Sequence, residues 1–179
     1  DQGIEVEFVT FETPFFNAKK GRKASQMTGI PLTVEQIYPV YIKMLKNPPA
    51  GYGKHMNPCM DCHSLMFKLA GEMMQARGFD FLFSGEVVGQ RPMSQHKKAI
   101  AIIDEDSGLR GLILRPLSAS HFEPTVPELE GWVKREKLLG ISGRSRKTQI
   151  ALALEKDIRD YPCPAGGCLL TDKHFAERM

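Results

Sequence analysis

Short β-branched and aromatic runs alternate with helical stretches along this chain, and that alternation restricts the fold more than any other feature. Ile4 to Phe11 alternates apolar and polar residues and predicts a strand ended by Thr13-Pro14. Phe79 to Phe83 and Leu112 to Leu114 are compact apolar runs of the kind buried in parallel sheets. Pro31 to Tyr38 reads either as a strand running into a short helix or as a helix alone, with Tyr38-Pro39 complicating both. Leu65, Met66, Leu69, Ala70, Met73 and Met74 fall at helical spacing and predict a core-facing helix from Ser64 to Arg77, stopped by Gly78. Further helices are predicted at Lys97 to Ile103, after the Thr125-Val126-Pro127-Glu128 capping pattern, and over Thr148 to Lys156. The expected class is α/β with a parallel sheet. Ligands in such sheets lie at the carboxyl ends of strands, here the Thr10 to Phe16 and Ser84 to Gln95 loops.

The 179 residues suit one domain, 1–179, large enough to bury a core without disulfide staples. A composition of 42% hydrophobic and 25% charged residues argues against disorder. No apolar run reaches the roughly 18 residues a membrane span needs. Asp1-Gln2-Gly3-Ile4 has no signal-peptide character, so the expected location is cytoplasmic. In a reducing compartment, four cysteines point to metal or catalytic use more than to disulfides.

Asn57-Pro58-Cys59-Met60-Asp61-Cys62-His63 is the chemical focus, placed just ahead of the predicted apolar helix. Two thiols with two residues between them can meet one metal, or one disulfide partner, across a tight turn. Cys168, in Pro162-Cys163-Pro164-Ala165-Gly166-Gly167-Cys168, is a third strong thiol, and its paired glycines suit backbone folded closely around sulfur. Zinc would take Cys59, Cys62, Cys168 and either His63 or Cys163. Three cysteines also suit a 4Fe–4S cluster with one open iron. Alternatively, a thiolate accepts sulfur as a persulfide and a second thiol resolves it, with Cys59 or Cys62 paired to Cys168. Buried, inert cysteines are the bland alternative.

Ser84, Gly85, Glu86, Gln90, Ser94 and Gln95 form a polar loop after a predicted strand, with groups able to hold a nucleotide. Lys19, Lys20, Arg22 and Lys23 read as a solvated loop or as a contact to a phosphate backbone. Arg144, Arg146 and Lys147 open a helix whose dipole opposes them, which an anionic partner would offset. The net charge of +3 permits an RNA partner without demanding one.

Taken together, the chain resembles a PP-loop ATP pyrophosphatase of the tRNA-thiolation type. It is similar to the tRNA 2-thiouridylases at Asn57-Pro58-Cys59 with Cys62. It is similar to the tRNA 4-thiouridine synthases at Gly85-Glu86, Gly89-Gln90, Ser94-Gln95 and Leu114-Arg115-Pro116-Leu117. It is most similar to a bacterial thiouridylase-like group in which GQRPMSQ, GRSRK and PAGGCLLTD occur together. The resemblance implies a Rossmann-like parallel sheet with flanking helices, of the adenine nucleotide alpha hydrolase kind. It implies adenylation of a tRNA uridine carbonyl by ATP with Mg2+, then sulfur insertion. Cys59 and Cys168 would be the sulfur-handling thiols, or Cys59, Cys62 and Cys168 the ligands of a 4Fe–4S cluster. Thr10 and Phe11 would lie near the adenine, and the Ser84 to Gln95 loop on the ATP side. Expected partners are tRNA and a sulfur-donor protein or sulfide, with no membrane.

The S-G-G-x-D-S stretch that holds pyrophosphate in that family is absent. Gln2-Gly3-Ile4 resembles the end of the helix that follows it, so the chain is expected to lack the family's first strand and helix. The sheet would then be completed by preceding residues or by another chain, a homodimer being one form, and the fragment should bind ATP poorly. A second reading is a zinc or iron–sulfur module that binds RNA or a partner without catalysis. A third is a PP-loop enzyme acting on a small molecule.

Overall fold

The computed structural model describes residues 2–161 and 168–178. They form two compact units, one of residues 3–58 with 146–161 and 168–178 and one of residues 59–145 with Gln2. Each is built on a strand–helix–strand motif with parallel strands, so the α/β expectation holds.

In the first unit, β1 (Phe8–Glu12) runs parallel to β2 (Leu32–Gln36), with α1 (Lys19–Thr28) between them. The register pairs Phe8 with Leu32 and Glu12 with Gln36. Glu12 ties the strand end together: one oxygen accepts from the Ala18 amide at 2.7 Å and the other from Gln36 Nε2 at 2.6 Å. Gly21 lets α1 lie close to β1, because a Cβ there would sit 3.1 Å from Thr10 Cγ2. α2 (Tyr38–Lys46) follows β2 directly, with Pro39 in its first turn, where a missing N–H costs nothing. Tyr41 and Leu45 are buried on it, and the Phe15 and Phe16 rings pack against Tyr41. α6 (Lys147–Glu155) and α7 (Lys173–Ala176) complete the unit.

One expectation fails here. Lys19 to Lys23 is no loop but the start of α1, a helix with no buried residue. Its exposure left no apolar stripe for the sequence to display.

In the second unit, α3 (Cys59–Arg77) precedes β3 (Leu82–Phe83), α4 (Lys97–Asp106), β4 (Ile113–Leu114) and α5 (Val126–Leu129). β3 and β4 pair in parallel, Leu82 with Ile113 and Phe83 with Leu114. Met74, Leu109 and Ile113 centre the core, with Phe67, Phe79, Leu82 and Leu112 against them. Of the predicted α3 stripe, Ala70 and Met74 are buried. Gly71 lies against Leu109: a Cβ at 71 would come within 2.8 Å of its methyls. The capping box at Thr125 and Glu128 is present as expected.

Two boundaries move. β3 is shorter than the apolar run that announced it, and Phe83 is exposed. α3 begins at Cys59 rather than Ser64, which places the whole C-x-x-C-H motif inside the helix instead of on a turn ahead of it.

Candidate functional site

A helix that starts at Cys59 puts Cys59, Cys62 and His63 at i, i+3 and i+4, on one face of its first turns. Cys59 and Cys62 are half-buried thiols, outside any disulfide. His63 is hydrogen-bonded to Cys59, and its Nδ1 donates to Glu86 Oε1 at 2.8 Å. Glu86 lies past the carboxyl end of β3 and is buried. Its Oε2 accepts from Arg115 Nε at 2.9 Å and from Ser84 Oγ at 3.3 Å. Arg115 directly follows β4 and grips Asp104 of α4 through both terminal nitrogens, at 3.0 and 2.7 Å. The Arg115 guanidinium lies between the Phe67 and Phe122 rings, 5.8 and 5.7 Å from their centroids. The result is a continuous polar chain, Cys59–His63–Glu86–Arg115–Asp104, along the carboxyl ends of β3 and β4.

Each link has an electrostatic signature. Burial alone would lower the His63 pKa, but hydrogen bonds and attraction to Cys59 and Glu86 prevail and raise it from 6.5 to about 9. A raised His63 beside a thiol at the first residue of a helix makes an electropositive setting for that sulfur. Burial pushes Glu86 upward, but His63 and then Arg115 hold its carboxyl below the usual range. Asp104 moves the other way: burial, together with repulsion from Glu86, outweighs the Arg115 fork. The Arg115 guanidinium is held further toward its charged form, burial being overcome by Asp104 and Glu86.

The Ser84 to Gln95 loop is anchored by its backbone. The Val88 amide donates to Ser118 Oγ at 3.1 Å, and the Gly143 amide donates to the Val88 carbonyl at 2.7 Å. Gly89 takes φ +78° and a Cβ there would meet the Gly143 nitrogen at 3.3 Å, so two demands fix glycine at that point. Ser94 and Gln95 are buried, and neither Ser94 Oγ nor Gln95 Oε1 has a hydrogen-bond partner among the described residues. Buried polar atoms without partners are costly, so such a pair suits a bound polar group. At Gly85 the chain itself makes no demand for glycine, since the residue is exposed and a Cβ would meet nothing within 4 Å.

The remaining predicted residues fall elsewhere. Thr10 faces Gly21 and Phe11 is buried in the core of the first unit. Cys168 belongs to the first unit and Cys59 with Cys62 to the second. Cys163 and the Pro164 to Gly167 turn lie outside the described residues. Among the described residues no three His, Cys, Asp or Glu side chains gather as a metal-binding set, so no step is derived through zinc or a cluster. Lys19, Lys20, Arg22 and Lys23 are exposed on α1, Lys23 being paired with Asp160. Arg144 lies in the second unit, whereas Arg146 and Lys147 open α6 in the first.

Sequence reasoning missed Arg115 and Asp104 as members of the site and considered His63 only as a zinc ligand. The readable signal was the i+4 spacing of His63 from Cys59. Comparison with family models, curated proteins and solved structures finds no match. No described helix is long and apolar enough to cross a membrane.

Proposed function

We propose that this chain is the catalytic part of an ATP-dependent tRNA sulfurtransferase of the PP-loop type. The observation that carries the reading is the Cys59 thiol at the first residue of a 19-residue helix, hydrogen-bonded to a histidine that a buried carboxylate orients. A thiol, an imidazole and an orienting carboxylate form the arrangement that activates sulfur nucleophiles. ATP with Mg2+ would supply the adenylyl group that turns a tRNA carbonyl oxygen into a leaving group. Cys59 would carry the incoming sulfur as a persulfide, with His63 holding the proton released as the sulfur becomes nucleophilic. Glu86 keeps the imidazole oriented, His63 and Arg115 keep Glu86 ionised, and Asp104 holds the Arg115 guanidinium in place.

The unpartnered Ser94 and Gln95 atoms and the open Gly85 favour a nucleotide on the same loop. Lys19, Lys20 and Arg22 on a helix without an acidic residue favour a polyanion such as tRNA. The 4Fe–4S cluster implied by the resemblance is tested by iron and sulfide analysis of anaerobically purified protein. The function is tested by incubating the protein with tRNA, a persulfide donor and Mg–ATP raised high enough to fill a weak site, then separating the nucleosides by mass. A nucleoside carrying sulfur for oxygen, dependent on ATP and absent with Cys59→Ser, is expected. Thiolation that survives Cys59→Ser overturns the assignment.

A further inference from the structure

The sequence expectation pairs Cys59 or Cys62 with Cys168, far along the chain. The geometry points to a partner in the same helical turn. We propose that Cys62 is the resolving thiol for sulfur carried on Cys59, so that the first turn of α3 is a self-contained sulfur-release dithiol. The proposal rests on the reading of Cys59 as the sulfur carrier and adds the identity of its partner.

Three observations carry it. Cys59 and Cys62 are three residues apart in one helix, which fixes their proximity within a single element. Side chains so spaced have Cβ atoms about 5–6 Å apart, against about 3.8 Å in a disulfide. The closure needed is small, and it falls on the first helical turn, whose amides have no intrahelical partner to lose. Both sulfurs are half-buried, so a reagent can reach them. His63, one turn beyond Cys59 and fixed by Glu86 at 2.8 Å, stands beside the sulfur that the attack must strike.

The step balances without an outside oxidant. The Cys62 thiolate attacks Cys59 Sγ of the persulfide, and a Cys59–Cys62 bond forms as the bond to the terminal sulfur breaks. The electron pair leaves with that sulfur, which takes a proton and departs as hydrosulfide. The two cysteines are oxidised to a disulfide and the sulfane sulfur is reduced to sulfide. Where the terminal sulfur is already bonded to a tRNA base, the same attack expels the thiolated base. A disulfide closed across a helical turn is strained and therefore readily reduced. A small thiol or dithiol reductant would reset it.

The test needs neither ATP nor tRNA. Reduced protein is treated anaerobically with inorganic polysulfide, released sulfide is quantified, and the protein is alkylated and digested with trypsin. Residues 55–68 lie between Lys54 and Lys68, so one peptide holds Cys59 and Cys62 while Cys168 falls in another. The wild type is expected to release sulfide and to yield that peptide closed by an internal disulfide. Cys62→Ser and Cys62→Ala should keep an alkylatable persulfide on Cys59 and release about tenfold less sulfide, whereas Cys168→Ser should match the wild type. Retention of the persulfide in the Cys62 variants shows that the site is intact. Wild-type release from both Cys62 variants, or a disulfide joining this peptide to Cys168, overturns the proposal alone. Absence of persulfide from Cys59 in every protein overturns the carrier reading beneath it as well.

Discussion

Replacing Glu86 by glutamine keeps its shape and removes the negative charge held between two cations. Glu86 accepts from His63 Nδ1 at 2.8 Å and from Arg115 Nε at 2.9 Å, with its side chain only 8% exposed. Removing one member of a buried ion pair costs about 3–5 kcal/mol, and because Arg115 keeps Asp104 the lower end applies. A second route sets an upper bound on the part that runs through His63. The His63 pKa rises from 6.5 to about 9, and at about 1.4 kcal/mol for each pH unit this is about 3 kcal/mol shared between Cys59 and Glu86. Water reaching the 30% of His63 left open trims that figure. The pH dependence has a definite sign. A raised histidine pKa stabilises the fold fully below pH 6.5, and the benefit disappears as the pH climbs through about 9. The lowered Glu86 carboxyl stabilises above pH 4.5 and loses its effect as acid protonates it. The difference between wild type and Glu86→Gln is therefore widest between pH 4.5 and 6.5 and shrinks toward its Arg115 part above pH 9. Urea unfolding followed by Trp132 fluorescence measures it, since this single tryptophan stacks on Phe81 in the same unit. A loss of about 2–3 kcal/mol near pH 6 that narrows by about pH 10 is expected. A gap below about 1 kcal/mol near pH 6, or the same gap at both pH values, would refute the reasoning.

Other perturbations test separate parts of the structure. Arg115→Lys retains a charge but cannot span both Glu86 and Asp104, so unfolding in urea should show a loss of about 3 kcal/mol. Gly89→Ala forces a side chain onto φ +78° against the Gly143 nitrogen, and its thermal midpoint should report a loss of about 1–3 kcal/mol. Thr125→Ala removes the capping box of α5, and denaturant titration should register about 1 kcal/mol. Lys20→Glu with Arg22→Glu should weaken tRNA retention in a filter assay and flatten its salt dependence, leaving stability within about 0.5 kcal/mol because both side chains are exposed.

Much of the second unit was legible because its signals are local. The α3 stripe, the Gly78 stop and the Thr125 capping box each follow from a few neighbouring residues. Glu86 was legible as a loop residue after a strand. Its partners were not: Arg115 lies 29 residues away and Asp104 11 residues before that arginine, and no local pattern links them. α1 was hidden for the opposite reason, since a helix without a buried residue carries no run of large apolar side chains at helical spacing. The most consequential misreading was the start of α3. The C-x-x-C spacing was read as a tight turn ahead of the helix, yet Pro58 just before a first turn is compatible with a helix that begins at once. Beginning the helix at Cys59 makes His63 an i+4 neighbour, and the site could have been read from that spacing.

The account turns on Cys59 being the activated thiol. The most direct measurement is the pH dependence of alkylation of Cys59, Cys62 and Cys168 by iodoacetamide, resolved by peptide mass spectrometry, in wild type and His63→Gln. Cys59 should react fastest in the wild type, keep reacting below pH 7 where an ordinary thiol with a pKa of about 8.5 slows, and lose about tenfold of that low-pH rate in His63→Gln. Cys59 reacting no faster than Cys168, or indifferent to the loss of His63, would contradict the account.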